Sequence, residues 1–433
     1  MVKPPMNSEP DNCAAPSVPP EAAGGQNHGD GWHFSHFDHQ PRTRIVFGEN
    51  SIDRVGEFAK ELGAGRVLLV TDPGIVSAGH AGRVHRILEA AGLHVTLFDQ
   101  VRENPTTRCI DQCVGLAKTA GIDAIVGLGG GSSMDTAKGC NFILTNGGRI
   151  EDYWGVGKAT RPMLPLIAIP TTAGTGSECQ SAALIAHEET HQKMACLDPK
   201  AAACIAILDP LLTLSQPPSV TAHTGVDAIA HAVETAVTKK RNPLSLMYSR
   251  EAFRLTTTGL PRVLSQPSDP EARGRMALGA ALAGLAIENS MLGAAHAAAN
   301  PLTAHYGVVH GEAVGIMLPL VVRFNAADPA AQRAYADLAS SSEIARFKDG
   351  LDTAVEALIA RLESLLNTAR ISRSLEDCGV ERSMIGTLAQ EASKQWTASF
   401  NPRPVSVHDF EALYEAAFSR RGDGDAPQSV SEK

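Results

Sequence analysis

The sequence predicts a chain in two parts: an α/β half on a mostly parallel sheet, then an all-α half. Three observations carry this. Strand-like and helix-like runs alternate from residue 43 to about 210. Several of the strand-like runs are short and continuously apolar, as strands covered on both faces are. After LTLSQPPS (212–219) the texture changes to long Ala/Leu-rich stretches with helical spacing, which continue to about 417. At 433 residues the chain also exceeds the usual single-core size, so two domains are expected.

Taken in order, TRIVFG (43–48) reads as a strand and SIDRVGEFAKELG (51–63) as a helix. RVLLVTD (66–72) is a buried strand, followed by a helix near 80–92 and the strand HVTLFD (94–99). ENPT (103–106) is a turn leading to a helix over roughly 106–120. DAIVGLGG (123–130) is a second buried strand, and a helix opens near 132. LPLIAIPTT (164–172) is strand-like, residues 181–187 and 192–197 form a hairpin around HEET, and CIAILDP (204–210) is the last strand. Such alternation implies a Rossmann-like sheet with helices on both faces. In the second half, MALGAALAGLAI (276–287) reads as a buried helix. The expected bounds are a disordered tail at 1–40, an α/β domain at 41–213, a helical domain at 214–418 and a polar tail at 419–433.

Composition narrows the function. Hydrophobic content of 43% and charged content of 20% describe an ordinary globular protein. A net charge of −9 argues against a nucleic-acid or anionic-membrane partner. The first forty residues are rich in Pro, Gly, Ser, Asn and Ala and lack the apolar core of a signal peptide. No run reaches the ~18 apolar residues of a membrane span. Eight cysteines without a secretory signal suggest free thiols in a reducing compartment, so a cytoplasmic location is expected.

Four residues point to a metal. Asp227 and His231 lie four apart in TGVDAIAHAVE, which puts both on one helix face. His296 and His310 lie fourteen apart in GAAHAAANPLTAHYGVVHG. One carboxylate and three imidazoles suit Fe(II), Zn(II) or another borderline ion, and suit Ca(II) or Mg(II) poorly. The competing reading is a helix of packed core histidines.

A second group points to a phosphate. GLGGGSSMDTAK (127–138) follows a buried strand and opens a helix. Gly129, Gly130 and Gly131 would let backbone approach a phosphate closely, and Ser132 and Ser133 can cap the helix. The helix start supplies free N–H groups and partial positive charge. Asp72 ends an earlier strand, where a carboxylate can accept from both ribose hydroxyls and repel a 2′-phosphate. Thr171, Thr172, Thr175 and Ser177 cluster hydroxyls in PTTAGTGSE (170–178), and Lys193 could reach a ribose or phosphate. Each also has a plain reading: a tight turn, an Asp-Pro-Gly turn, satisfied hydroxyls, a solvated lysine.

Together these residues resemble the iron-containing, group III, alcohol dehydrogenase family. The resemblance runs from about 43 to 417 and rests on VTDPG (70–74), NPT (104–106), GGGSSMDTAK (129–138), IPTTAGTGSE (169–178), LDPLLT (208–213), TGVDAIAHAVE (224–234), the paired-His segment (296–310) and NPRP (401–404). It implies a dehydroquinate-synthase-like architecture, with Asp227, His231, His296 and His310 as metal ligands. It implies cofactor contacts at Gly129 to Ser132, Thr171, Thr172 and Lys193, and an NAD-selecting acid at Asp72. The implied activity is hydride transfer between an alcohol or carbonyl substrate and nicotinamide. NAD is expected rather than NADP, with one divalent ion, Fe(II) before Zn(II) or Mn(II). A small-molecule alcohol or aldehyde and a homodimer or higher homo-oligomer are the expected partners.

One departure stands out. Many alcohol-oxidising members read HAMAH, whereas this chain reads His296-Ala-Ala-Ala-Asn300. Asn300 cannot titrate at neutral pH; proton transfer then runs through ribose hydroxyls and water, or the branch prefers another substrate. His305 lies nearby. Gln180, Ala182, Ile287, Leu292, Trp396 and Phe400 are candidates to line a small, mostly apolar pocket, with core packing as the alternative for all six. Two other functions remain in view: a dehydroquinate-synthase-like lyase using NAD and a metal, and an assembly protein with an impaired site. The IPTTAGTGSE and HAVE blocks look like the dehydrogenase branch, and Asn300 alone favours the impaired site.

Overall fold

Six short strands order themselves by burial into one parallel sheet. The computed structural model describes residues 36–418 apart from 191 and 373. The expected tails, up to residue 35 and from residue 419, lie outside the described residues. Through the first half the chain runs β1 (Arg44–Phe47), α1 (Val55–Glu61), β2 (Arg66–Val70), α2 (Pro73–Ser77), α3 (His80–Ala90), β3 (His94–Phe98), α4 (Thr107–Ala120), β4 (Ala124–Gly129) and α5 (Gly131–Asn146). It continues through β5 (Gly155–Val156), β6 (Leu166–Pro170), β7 (Ala182–Ala186), β8 (Lys193–Leu197) and β9 (Ile205–Leu208). The sheet order is β1-β9-β6-β4-β2-β3, with every pairing parallel. The hairpin β7–β8 is antiparallel and carries β5 on its edge. The two-residue β5 and the one-turn α2 go beyond the sequence expectation.

Alternate residues of the strands feed two different cores. Leu68, Val70 and Ile125 pack with Ile110 of α4 and Met134 and Ala137 of α5. Val67, Leu69 and Val126 pack with Val55 and Phe58 of α1 and Val84 and Leu88 of α3. The sheet is thus covered on both faces, and each fully buried Val, Leu or Ile contributes about 1.5–3 kcal/mol.

The second half is helical: α6 (Pro218–Thr235), α7 (Pro243–Ser265), α8 (Pro270–Asn289), α9 (Ala294–Tyr306), α10 (His310–Asn325), α11 (Pro329–Ser341), α12 (Leu351–Thr368), α13 (Ile385–Lys394) and α14 (Val407–Phe418). Four of these helices begin at a proline after a capping residue or a second proline, where a missing N–H costs nothing. Asn242, Asp269 and Asp328 accept from first-turn amides of α7, α8 and α11. Helix α6 is buried without a break from Gly225 to Thr235, so it runs through the middle of the helical core. The run 276–287 lies within α8, mostly buried as expected. No single helix among the described residues is long and apolar enough to cross a membrane.

Candidate metal and dinucleotide site

Sheet order explains where the glycine loop opens. From β2 the chain goes outward to β3 and then returns to the other side of β2 as β4. Helices after β2 and after β4 lie on opposite faces, which leaves a crevice at the carboxyl ends of these two strands. Thr71-Asp72 and Gly129-Gly130-Gly131 are the residues at that crevice. Gly129 has φ +144°, and a Cβ there would sit 2.4 Å from Ser133 Oγ and 3.2 Å from Asp72 Oδ2. Asp72 is therefore beside the loop despite preceding it by some sixty residues. Its Oδ1 also accepts from Ile75 N at 3.0 Å and caps α2. Both readings of Asp72, ribose acceptor and turn residue, are compatible with that position.

The Thr-rich turn closes the other side. Thr171 N donates to Gly129 O at 3.0 Å. A Cβ on Gly131 would meet Thr175 Cγ2 at 2.9 Å, and one on Gly130 would meet Thr172 at 3.4 Å. The Thr171 hydroxyl is buried and unpartnered in the protein. Lys138, fully buried on α5, donates from Nζ to Ser177 O (2.6 Å), Ser177 Oγ (2.9 Å) and Ala182 O (3.0 Å). Ser177 Oγ in turn donates to Asp135 at 3.1 Å. This lysine ties the turn to the loop helix, and its three protons are spent on that.

The same turn also touches the helical half. A Cβ on Gly174 would lie 2.5 Å from Thr224 Cβ on α6, and one on Gly284 of α8 would lie 2.3 Å from Gly176 O. Backbone meets backbone there without room for side chains. Those contacts set the glycine cradle against the helix that carries Asp227.

The four residues singled out for a metal converge on one carboxylate. Asp227 Oδ1 lies 3.4 Å from His231 Nε2, 3.3 Å from His296 Nε2 and 3.8 Å from His310 Nε2. Ligand atoms of Asp227, His231 and His296 all lie within 4.8 Å of one another, and all three residues are buried. The His231 and His296 rings stack at 4.8 Å, and His310 tilts against His296 at 5.4 Å. The His310 side chain is 32% exposed, so the group opens to solvent on that side. Gly311 makes the approach feasible: a Cβ there would lie 2.0 Å from His223 O of α6.

Burial and charge divide the imidazoles. Burial holds His231 down to about 4, against the pull of Asp227; His310, open to solvent on one side, is lowered as well by its buried part. Both are neutral at pH 7, with the lone pair a metal needs. Burial works the same way on His296, but Glu234 and Asp227 overcome it and push that ring up to about 9. Burial alone would raise Asp227; the imidazoles around it, His231 first, with the His296 hydrogen bond and His310, hold it well below the usual carboxylate range. The donor set fits a borderline divalent ion. The withheld Cβ atoms at Gly129 and Gly131 and the unpartnered Thr171 hydroxyl fit a dinucleotide phosphate.

Other expected residues are distributed around these two groups. Lys193, exposed on β8, lies close enough for its charge to lower both Asp135 and His310. Gln180 donates to Thr175 O at 2.8 Å, and Ala182 O accepts from Lys138. Ile287 is buried near the end of α8, and Leu292 is half-buried just before α9. Trp396 and Phe400 meet edge to face at 5.8 Å. Asn300 Nδ2 donates to Gln395 Oε1 at 3.1 Å. His305 pairs with Glu391 at 2.9 Å on the exposed side of α9, so it does not stand in for Asn300. Sequence alone missed Glu234, Lys138 and Asn401. All three lie inside quoted motifs, and Glu234 shares the Asp227 stripe of α6 at seven residues' spacing, which is the signal that could have found it.

Comparison with known proteins agrees with this geometry. Residues 41–210 match the model of the iron-containing alcohol dehydrogenase family, and residues 221–418 match that of the C-terminal region of the Fe-containing alcohol dehydrogenase family. Alcohol dehydrogenase 4 of Schizosaccharomyces pombe is 36% identical over 373 residues, 86% of this chain and 87% of that one. The NAD-dependent methanol dehydrogenase of Bacillus methanolicus is 34% identical over 374 residues, 86% and 97%. Among solved structures, a 1,3-propanediol oxidoreductase superposes with TM-score 0.86 at 33% identity, covering 89% of this chain and all of that one. A sulfoacetaldehyde reductase from Bifidobacterium kashiwanohense, solved with NAD+, gives 0.78 at 27%, with the same coverage. The chain belongs to the iron-containing alcohol dehydrogenase family. It is an oxidoreductase of alcohols and the corresponding carbonyl compounds, working with NAD and a metal ion.

Proposed function

We propose that Asp227, His231, His296 and His310 hold one divalent ion, Fe(II) before Zn(II) or Mn(II), and that NAD lies along Gly129 to Ser132, Thr171, Thr172, Thr175 and Lys193. The observation that carries this is the convergence of three imidazole Nε2 atoms on Asp227 Oδ1 at 3.3–3.8 Å. When bound, the ion supplies Lewis-acid polarisation of an alcohol or carbonyl oxygen, and the nicotinamide accepts or gives the hydride. The start of α5 receives the pyrophosphate on its free amides. Asp72 accepts from the ribose hydroxyls and selects NAD over NADP. Ile287, Leu292, Trp396 and Phe400 supply apolar walls that exclude water, with Gln180 and Ala182 at the turn side. The substrate class is a small, mostly apolar alcohol or its aldehyde. Relatives named for methanol and 1,3-propanediol support small substrates. The seven described cysteines are all free, in keeping with a reducing compartment such as the cytoplasm.

His231→Ala tests the assignment. Metal analysis should give one ion per chain in the parent and none in the variant. Turnover should fall on the order of a thousandfold, since Lewis-acid stabilisation is worth several kcal/mol and each 1.36 kcal/mol is tenfold. The far-ultraviolet dichroism should be unchanged. Stoichiometric metal with near-normal turnover in the variant overturns the ligand set. Turnover of substrate without net NADH returns the lyase reading.

A further inference from the structure

Helix α6 carries a second acid on its metal-facing stripe. Asp227, His231 and Glu234 are spaced by four and three, so all three project from one face. Glu234 is 3% exposed. Its Oε2 lies 2.5 Å from His296 Nδ1, and its Oε1 accepts from Ala295 N at 2.7 Å. We propose that Glu234 is a positioning residue that fixes the tautomer and orientation of His296 for the metal and at the same time anchors the start of α9. The inference rests on the ligand set proposed above.

A carboxylate on Nδ1 keeps the proton there, so the proton that an ion displaces on binding is the one on Nε2. Nε2 is the atom that faces Asp227, at 3.3 Å. An imidazole that donates to a carboxylate is also a stronger electron donor to an ion. The second function follows from the amide of Ala295, which lies in the first turn of α9 and has no partner within the helix. A negative charge is favoured at that end. Gly293 makes room for it, since a Cβ there would lie 2.9 Å from Asn401 Oδ1 and 3.1 Å from Glu234 Oε1.

The neighbouring contact separates the two functions. Asn401 Oδ1 accepts from Ala294 N at 3.2 Å and from Asn325 Nδ2 at 3.1 Å. Asn401 Nδ2 donates to Asn325 Oδ1 and to Arg403 O, both at 2.7 Å. Asn401 thus holds the start of α9 without touching His296, whereas Glu234 does both. This gives the first residue of the NPRP block a task in the helical core.

The test measures metal affinity in the folded full chain, stripped with a chelator and reloaded with Co(II) or Zn(II). Glu234→Gln keeps the shape and removes the charge. Competition against a chromophoric chelator should show 10–100-fold weaker metal binding. The visible Co(II) bands should shift, while the dissociation constant for NAD stays within twofold. Asn401→Ala should lower the melting temperature but leave metal affinity within about threefold. Glu234→Asp is too short to reach both partners and should fall between the parent and Glu234→Gln; it carries the test if Glu234→Gln does not fold. Unchanged metal affinity and Co(II) bands in a folded Glu234 variant overturn the proposal. So does an equal loss of affinity in Asn401→Ala, which would make the helix start, and not the ring contact, the cause. A parent chain that takes up no stoichiometric metal would instead sink the ligand set itself.

Discussion

Asp227 and Glu178 are 5% and 3% exposed, and burial has opposite outcomes for the two. Asp227 is held well below the usual carboxylate range because His231, His296 and His310 surround it. Glu178 is pushed up to about 7 by burial, which its own backbone amide and the Lys138 charge only partly oppose. Asp135, beside it, is pushed up to about 6 for the same reason, opposed by Lys138 and Lys193. The Lys138 ammonium already donates to Ser177 and Ala182. Burial alone therefore predicts the direction for Glu178 but not for Asp227, where the partners decide. The α6 cluster holds its carboxylate ionised among three imidazoles. The α5 cluster spends its charges holding the Thr-rich turn in place. One cluster is made of converging side chains, the other braces a turn packed against glycines that withhold theirs.

The largest expected effect breaks the first region by adding one carbon. Gly311→Ala would place a Cβ 2.0 Å from His223 O, a backbone atom with nowhere to retreat. Helix α10 must shift, and His310 is its first residue. Overpacking of this kind costs about 1–3 kcal/mol or more. Metal affinity should drop at least about tenfold, the scale of losing a ligand's support, with NAD affinity nearly unchanged. Metal titration of the variant checks it; parent-like affinity would mean that His310 is not held by this packing.

Next comes the pH response of the second region. Folded Glu178 keeps its proton up to about 7, whereas the unfolded chain releases it near 4.5. Between those values the folded state binds the extra proton, so its stability falls as pH rises through the window and levels off above it. At about 1.4 kcal/mol per pKa unit, the loss is about 3 kcal/mol. Glu178→Gln should abolish this part of the slope and be more stable than the parent at pH 8. Asp135 titrates in an overlapping window, so the difference between parent and variant is the quantity to measure, by urea unfolding at pH 4.5 and 8. Identical slopes would show that Glu178 is ionised throughout.

How much of this was legible in the sequence depends on what each feature needs. Strands such as VLLV of β2 and AIVGLG of β4 could be read because a strand covered on both faces is apolar at every buried position. Helix starts at Pro243, Pro270 and Pro329 follow Asn or Asp, a local signal. The i,i+4 pair on α6 is local as well, and so are the glycines of the loop. Lys138 was invisible in its role because its acceptors lie 39 and 44 residues away. Glu234 was legible as a member of the Asp227 stripe of α6, but its two partners are on α9, 61 and 62 residues away, and spacing within α6 does not name them. The one-turn α2 was concealed inside an Asp-Pro-Gly turn, where Asp72 both caps a helix and faces the loop.

That double position of Asp72 gives a sharper substitution than removing the side chain. Asp72→Asn keeps an oxygen for Ile75 N, since Asn caps a helix as well as Asp does. Only the charge is lost. A repulsion of ~1–2 kcal/mol toward a 2′-phosphate, typical of like charges in partly solvated surroundings, corresponds to roughly tenfold. The ratio of kcat/KM for NAD over NADP should fall by about that factor, with the melting temperature unchanged. An unaltered ratio would leave Asp72 as a capping residue only.

The smallest effect belongs to Asn300 on α9, the helix that carries His296. The residue lies one helical turn after His296 on α9, on the same side by spacing. Its amide nonetheless donates to Gln395, which precedes the turn of Trp396 and Phe400. The side chain thus ties the turn of Trp396 and Phe400, proposed above as an apolar wall, to the helix that carries His296. Asn300→Ala should cost one neutral hydrogen bond, about 0.5–1.5 kcal/mol of stability, and change kcat less than KM for the substrate. Asn300→His provides the contrast. If the position faces the reacting centre, the pH–rate profile gains a step near pH ~6.5, the ordinary value for histidine. If the tie to Gln395 persists, the profile stays as in the parent while KM moves with the wall. A new step would return Asn300 to the proton path; its absence would leave Asn300 as a brace for the wall, and proton transfer to ribose hydroxyls and water.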